Sequence, residues 1–346
     1  MDRLYLFGSM SMRNDGAETR KVVSESVRNN DRKTLSAELA MGGQALIEGV
    51  LMRSAHRIAA AVRTPSGKIV IQTRLHTPYA RRNRLLGLPV IRGAVSMVEA
   101  LVIGIQALNW SADQALSEEK KPRRQGWRKS VATGSSIVLA LAFGLALFML
   151  VPYWFARGVG GTQANQLSFH LLAGALRMLL LLAYLVLISL WKDVRRIFQY
   201  HGSEHKSIFA YEKGSVLDIP TAMAQTRFHP RCGTSFLLIV ALAAIAFFAI
   251  IDTIIVAAFG QYPSAFTRFL VHLPLIPIVA GLSYEVLKFS SKHMSQPLVK
   301  ALIAPGLWLQ RITTREPEPE MCEVALTALR TALSREEPEA QATLVR

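Results

Sequence analysis

Two histidines and a glutamate form the chemically most distinctive motif of the sequence, HGSEH at residues 201–205. On a helix, His201 and His205 stand four residues apart on one face, so both imidazoles can reach one metal ion. Glu204 adjoins the second histidine and is placed to act as a general base on a water molecule. This order reverses the zincin motif and matches the H-x-x-E-H arrangement of inverzincins. The motif predicts a divalent metal, zinc above all, and a metal-dependent hydrolase.

A second polar cluster follows, with the sequence HPRCGTSF at residues 229–236. Two residues separate His229 from Cys232, a spacing that suits metal ligands. The same cluster also reads as a helix entrance, in which Pro230 precedes the first turn and Thr234 or Ser235 caps the free amides. The two interpretations are compatible, because a side chain at a helix entrance can still bind a metal.

Glu285 is a further candidate ligand, near the end of the last long apolar segment. A carboxylate buried there needs a metal ion or a basic residue close to it, since burial disfavours the charged form. The alternative to a metal is an ion pair with Lys288 or Arg231. The sequence therefore leaves the third donor open among Glu285, His229 and Cys232.

The histidine motif also has a non-catalytic interpretation. Gly202 weakens the helix that the metal geometry requires. In that case His201 and His205 belong to a polar loop beside the membrane, where they hydrogen-bond lipid phosphates or neighbouring backbone. Such a protein would recruit a cytoplasmic protein partner or bind lipid headgroups instead of catalysing a reaction.

The elements that must position these residues are long apolar segments. Hydrophobic residues make up 51% of the 346 residues and charged residues only 18%. About 20 apolar residues cross the hydrocarbon core, and a spanning segment must be helical because lipid offers no hydrogen bonds. Four segments meet this requirement, at residues 133–156, 167–191, 233–259 and 269–289. The sequence thus predicts an all-α integral membrane protein with about four transmembrane helices.

The orientation follows from the 40 Lys and Arg residues, which outnumber the 24 Asp and Glu and give a net charge of +16. Basic residues crowd before the first span and between the second and third, whereas only Arg157 and Arg268 lie in the other two connections. The positive-inside rule then places both termini and residues 192–232 in the cytoplasm of a bacterium, as a multi-pass protein of its inner membrane. The lipid bilayer and anionic headgroups are the expected partners. Nucleic acid is not, because the basic clusters abut apolar runs.

The remaining segments are predicted to be peripheral. Residues 1–40 form a disordered cytoplasmic tail, residues 41–315 the membrane domain, and residues 316–346 a cytoplasmic amphipathic helix with a tail. A small β-hairpin at the cytoplasmic face is expected around the turn at residues 64–67. Residues 85–110 form an amphipathic helix in the interface or against the bundle, because Arg92 and Glu99 would be costly at membrane depth. Within the spans, Arg177 and Asp252 could pair. Cys232 and Cys322 are too few and too distant to form a disulfide framework.

Four stretches resemble the YqhQ-like family of bacterial membrane proteins, which carry the DUF1385 domain. They are GGQALIEGVLMR at 42–53, HGSEHK at 201–206, HPRCGTSF at 229–236 and PGLWLQ at 305–310. The resemblance extends from about residue 42 to residue 333, which covers all but the termini. It implies a multi-pass membrane protein with predicted metal dependence, and it implies no particular substrate.

The predicted topology can be tested with reporter fusions. A reporter joined at Gly160 lies between the first two spans, and one at Gly214 lies between the second and third. The alternation of basic residues places these positions on opposite sides of the membrane. Paired alkaline phosphatase and fluorescent protein fusions should therefore give opposite signals, and matching signals would contradict the four-span topology.

Overall fold

The computed structural model describes residues 41–116, 127–159, 166–293, 296–334 and 344–345. The predicted tail at residues 1–40 and most of the segment after residue 334 lie outside the described residues. The described chain is mostly helical, and a small antiparallel sheet precedes the helices. The expectation of a mainly helical protein with a small β-hairpin is therefore confirmed for the helices, but the β structure is a sheet larger than one hairpin.

The sheet is a meander of neighbouring antiparallel strands. Its strands are β1 (Gly42–Leu46), β2 (Gly49–Arg53), β3 (Arg57–Arg63), β4 (Ile69–Leu75) and the short β5 (Leu344–Val345), which pairs with β4. The predicted hairpin is confirmed as β3–β4, with Arg63 opposite Ile69 and Gly67 at a φ of 83° in the turn. The β1–β2 hairpin was not predicted, and its tight turn contains Glu48 at a φ of 54°.

Helices cover the sheet, which explains why β2 and β3 are buried almost throughout. Leu51 and Ala60 pack in one apolar cluster with Ile103 of the helix that follows the sheet. Their neighbours Val50 and Ala61 are also fully buried, and alternate residues of a strand point to opposite faces. The helix at Pro319–Leu333, in the segment expected to form an amphipathic helix, contacts both β2 and β3.

Twelve α-helices follow in the described part of the chain. They are α1 (Tyr79–Arg82), α2 (Ile91–Ala115), α3 (Trp127–Leu145), α4 (Val151–Gly158), α5 (Gln166–Ser189), α6 (Lys192–Glu212), α7 (Ile219–Met223), α8 (Gly233–Phe259), α9 (Ala265–His272), α10 (Ile276–Lys292), α11 (Pro297–Thr313) and α12 (Pro319–Leu333). A π-helical turn at Ala146–Leu150 joins α3 to α4, and a 3₁₀ turn at Leu273–Leu275 joins α9 to α10.

Among the described residues, five helical segments are long and apolar enough to cross a membrane, which indicates a membrane-associated protein. They are Ile91–Ala115, Gly134–Gly158, Ser168–Ser189, Phe236–Phe259 and Ala265–Ser290. The last four coincide with the four predicted spans. The first is the helix assigned to the interface because of Arg92 and Glu99. In the structure Arg92 pairs with Glu285, and Glu99 is buried against the amide of Tyr79 at 2.9 Å. Arg92 has a carboxylate partner and one oxygen of Glu99 has a hydrogen-bond donor, which weakens the argument for keeping α2 out of the membrane.

The charges within the apolar segments find partners, but not the ones considered from the sequence. Arg177 does not pair with Asp252; its Nε donates to the carbonyl of Phe148, in the π-helical turn, at 3.1 Å. Asp252 is fully buried and accepts from four side chains. These partners are His170, Tyr262, Arg268 and His272. They lie on α5, on α9 and in the connection before α9, so Asp252 ties α8 to its neighbours. Both cysteines are free, as expected.

Candidate metal centre

The histidine motif lies on α6, as its spacing predicts, and Gly202 is part of the reason the site can form. A Cβ atom at Gly202 would lie 2.1 Å from the carbonyl oxygen of Arg315, closer than two such atoms can approach. The backbone of the segment between α11 and α12 therefore touches α6 directly. Arg315 N–H also donates to Phe198 O at 2.8 Å. Glycine weakens an isolated helix, but here it allows close approach of the segment that follows Thr313, whose carbonyl is the hydrogen-bond acceptor of His201.

His201, His205 and Cys232 converge in one buried cluster. One ring nitrogen of each histidine and the sulfur of Cys232 all lie within 4.8 Å of one another. One of these contacts joins His201 Nε2 to Cys232 Sγ, at 3.1 Å. The two imidazole rings are 4.4 Å apart between centroids. The four-residue spacing on α6 thus brings both histidines to the start of α8.

Main-chain carbonyls fix the tautomer of both histidines. His201 Nδ1 lies 2.8 Å from Thr313 O, and His205 Nδ1 lies 2.5 Å from Arg227 O. A carbonyl oxygen only accepts hydrogen bonds, so each Nδ1 carries the proton and each Nε2 is left with a lone pair. His205 Nε2 is buried and has no hydrogen-bond partner within the described part of the chain.

The electrostatics favour the ligand forms of these side chains. Burial lowers the pKa of His205, and the neighbouring His201 acts in the same direction. Burial opposes ionisation of the Cys232 thiol, but the adjacent His205 and Thr234 outweigh it, so the pKa of Cys232 lies below its usual value. Cys232 also begins α8, where its sulfur accepts from Thr234 N–H at 3.4 Å. A helix does begin here, as predicted, but Cys232 is its capping residue and not Thr234 or Ser235, and its sulfur remains in the cluster.

Glu204 is buried beside the cluster, and burial favours the neutral, protonated form of its carboxyl group. Burial raises the pKa of its carboxyl group to about 8, although the neighbouring His201 favours the charged form. Its Oε1 packs against β1, where a Cβ atom on Gly43 would lie only 2.5 Å away. The absence of a side chain at Gly43 thus makes room for Glu204. A carboxyl group held neutral in this way would release its proton if a cation were placed near it.

The structure does not bring His229 into the cluster as a ligand. Its Nδ1 accepts from Arg231 N–H at 3.3 Å, so Nε2 carries the proton and faces Glu212 Oε2 at 3.4 Å. Both ring nitrogens are thereby engaged. The ring stands 5.5 Å from that of His205 and 4.7 Å from that of Phe209. His229 therefore forms a wall of the site, and its assignment as a metal ligand is not supported.

Glu285 is likewise not brought to the histidines. Its two carboxylate oxygens accept from Arg92, with Nε to Oε1 at 2.7 Å and Nη2 to Oε2 at 2.5 Å. The basic residue expected near this carboxylate is thus Arg92 on α2. The pair was missed because 193 residues separate the two charges in sequence. The signal that could have suggested it is that each is an isolated charge in an apolar helix.

The fold and the cluster together define a membrane-associated protein with a buried His/His/Cys group. The chain belongs to the family described as a protein of unknown function (DUF1385), whose model matches residues 88–335. It is similar to the uncharacterized protein YqhQ of Bacillus subtilis (strain 168), with 32% identity over 301 residues that cover 83% of this chain and 90% of that protein. The resemblance drawn from the sequence motifs is confirmed. No solved structure matches the chain.

The Arg92–Glu285 pair leads to a prediction about stability. Each side chain is about three-quarters buried, since their exposed fractions are 27% and 25%. Glu285→Gln keeps the shape but removes the charge, and we expect it to lower the free energy of unfolding by about 1–2 kcal/mol. Arg92→Gln should cost a similar amount, and the double variant less than the sum, as contacting residues do. Additive losses in a thermal denaturation series in detergent would show that the two groups do not interact.

Proposed function

We propose that this chain is a multi-pass protein of the bacterial inner membrane, with both termini and α6 in the cytoplasm. His201, His205 and Cys232 hold one divalent metal ion, zinc, at the cytoplasmic face. The observation that carries the proposal is the buried His205 Nε2, which has no hydrogen-bond partner in the described part of the chain and lies beside a second imidazole and a thiol. A buried polar atom left unpaired costs free energy, and a metal ion would remove that cost.

The donor set fits zinc. Zinc binds neutral imidazole nitrogen and thiolate sulfur, and the pKa directions of His205 and Cys232 favour both forms. Histidines that bind a metal commonly donate their other N–H to a carbonyl, which fixes the ring and raises its basicity. Thr313 O and Arg227 O have this role for the two histidines. These two carbonyls support the proposal, because they would form the outer shell of such a site.

We further propose that the site belongs to a metal-dependent hydrolase. A cluster of three protein donors is typical of catalytic zinc, whereas structural zinc usually takes four. When bound, the metal supplies Lewis-acid polarisation of a carbonyl or phosphoryl oxygen. Glu204 is the residue of this chain placed to take up and return a proton, because its carboxyl group is buried beside His201. The two histidines keep their orientation through the carbonyls that hold their Nδ1 protons.

The second candidate is a non-catalytic protein, in which the metal joins structural elements and the cytoplasmic surface binds a protein partner or lipid headgroups. Burial favours it, because the three cluster residues are only 9%, 1% and 5% exposed. The cluster also connects α6 to the start of α8 and, through Thr313 O, to the end of α11. A metal there would cross-link α6 to the start of α8, and the hydrogen bond from His201 would hold α11 beside them.

Metal content tests the site itself. The purified full chain should contain about one zinc per molecule by mass spectrometry of the metal. His205→Asn retains a donor for the Arg227 carbonyl but loses the ligand, and Cys232→Ser loses the thiolate; both should weaken zinc binding at least about tenfold. The matched controls His229→Asn and Glu285→Gln should keep zinc, as should Glu204→Gln. Full zinc content in the His205 and Cys232 variants would refute the site.

Cobalt substitution separates the two candidates. Co²⁺ in place of zinc gives a visible spectrum that reports the ligands around it. In a hydrolase the fourth position is exchangeable, so thiocyanate or acetohydroxamate should change the spectrum at millimolar concentration. Glu204→Gln should bind cobalt as the unaltered chain does. A spectrum unchanged by either compound would contradict the hydrolase and favour the structural role.

A further inference from the structure

A cavity of about 600 Å³ lies between the end of β4 and α2, and none of the metal-centre residues lines it. Its lining combines charged, polar and apolar side chains. The polar part is formed by Arg74, His76, Tyr79, Arg82, Glu99 and Gln106. The cavity is large enough for the headgroup of a lipid or a comparable small molecule.

Glu99 is the least satisfied group in this cavity. Its side chain is almost fully buried, with 2% of the residue exposed. Oε1 accepts from the amide of Tyr79 at 2.9 Å, but Oε2 has no hydrogen-bond partner in the described part of the chain. The nearest cation to Oε2 is Arg53 Nη1, at 4.0 Å. A buried carboxylate oxygen without a donor is costly, so a donor from outside the chain would be bound favourably.

His76, beside Glu99, is a second residue with a buried polar atom that lacks a hydrogen bond in the described part of the chain. Its Nε2 is buried without a hydrogen-bond partner in the described residues and lies 3.5 Å from Glu99 Oε1. Burial lowers the pKa of His76, and this outweighs the attraction of Glu99, so the ring is neutral. His76 therefore does not neutralise the carboxylate. Two neighbouring residues that line the cavity thus each have one buried polar atom without a hydrogen-bond partner in the described part of the chain.

Two arginines line the same cavity, and within the described part of the chain the acceptors found for them are neutral. Arg74 Nη1 donates to Gln106 Oε1 at 3.3 Å, and Arg82 Nε donates to Thr77 O at 3.3 Å. Their charge is available to an anion, and guanidinium groups bind phosphate well. The cavity therefore offers a buried anion at one place and two cations at another, which is complementary to a zwitterion.

The apolar surface around the cavity fits hydrocarbon chains. Leu75, Val98 and Val102 line the cavity, and they are 65%, 56% and 48% exposed. Leu101, one turn away on α2, is 62% exposed. Apolar side chains exposed side by side mark a surface that is covered by lipid or by another molecule.

We propose that this cavity binds the headgroup of an ethanolamine phospholipid. The ammonium group donates to Glu99, the phosphate lies against Arg74 and Arg82, and the acyl chains run over Val98 and Val102. Choline phospholipids fit less well because their quaternary ammonium has no N–H to donate. Phosphatidylglycerol fits less well because its headgroup brings no cation to Glu99. The proposal is independent of the metal centre.

The test is native mass spectrometry of the full chain in detergent, with equimolar phosphatidylethanolamine, phosphatidylcholine and phosphatidylglycerol of identical acyl chains. We expect the ethanolamine lipid to bind about tenfold more tightly than the choline lipid, the scale of one hydrogen bond to a charged group. Glu99→Gln keeps an acceptor for Tyr79 N–H but removes the charge, so it should abolish this preference. Arg81→Gln, a charge change on α1 that does not line the cavity, should leave the preference unchanged.

Arg82→Gln provides an independent variant should the Glu99 change prevent folding. It should lower the affinity for the ethanolamine lipid and for the choline lipid by the same factor, because it removes a contact to the phosphate that both lipids share. The ratio of the two affinities should therefore not change. Equal binding of the two lipids to the unaltered chain, or preferred binding of phosphatidylglycerol, would overturn the proposal. An undiminished preference in a folded Glu99→Gln protein would do so too. Soluble phosphoethanolamine that competes at equal concentration would overturn the assignment to a lipid.

Discussion

The hydrogen bonds from the two α6 histidines to main-chain carbonyls are the constraint on which the candidate site depends. Thr313 O and Arg227 O accept hydrogen bonds from the two Nδ1–H groups, so the lone pair of each histidine is on Nε2. Both Nε2 atoms lie near the Cys232 sulfur, where we propose that a metal ion binds. Without those carbonyls the rings could rotate or exchange tautomers, and a pair of histidines at helical spacing would fix no donor atoms. The chemistry of the motif is therefore set by chain segments far from it in sequence.

Close backbone approaches make this arrangement possible. The segment between α11 and α12 reaches α6 only because position 202 has no side chain, and β1 leaves room for Glu204 only because position 43 has none. The sheet and the C-terminal helix thus have a part in the site, although they contribute no ligand. Both contact α6: β1 leaves room for Glu204, and α12 packs against the same helix. The carbonyl acceptors of the histidines come from other segments, at Thr313 and Arg227.

Much of this was predictable, for definite physical reasons. The apolar segments are long enough for periodicity and length to identify them as helices, and the four-residue histidine spacing is meaningful only on a helix. The start of α8 was predictable because Pro230 and the following residues form a recognisable start signal, but the choice of Cys232 as the capping residue was not. The β1–β2 hairpin was missed because β2 is buried on both faces, which removes the alternation that identifies a strand.

The third ligand could not be chosen from the sequence. Topology gives the depth of Glu285 but not the side of the helix on which it lies, and the structure turns it toward Arg92. For His229, the spacing to Cys232 shows that the two are near but not where each ring nitrogen points. Its Nδ1 is already an acceptor for Arg231 N–H, and its Nε2 faces Glu212. Both outcomes depend on side-chain direction, which is decided by tertiary packing.

X-ray absorption at the zinc edge of the purified chain tests the central claim most directly, because it reads the atoms that surround the metal. The account predicts one sulfur at about 2.3 Å and two imidazole nitrogens at about 2.0–2.1 Å. The sulfur contribution should disappear in Cys232→Ser. A shell of nitrogen and oxygen alone, or one with two sulfurs, would contradict the assignment of His201, His205 and Cys232 as the metal centre.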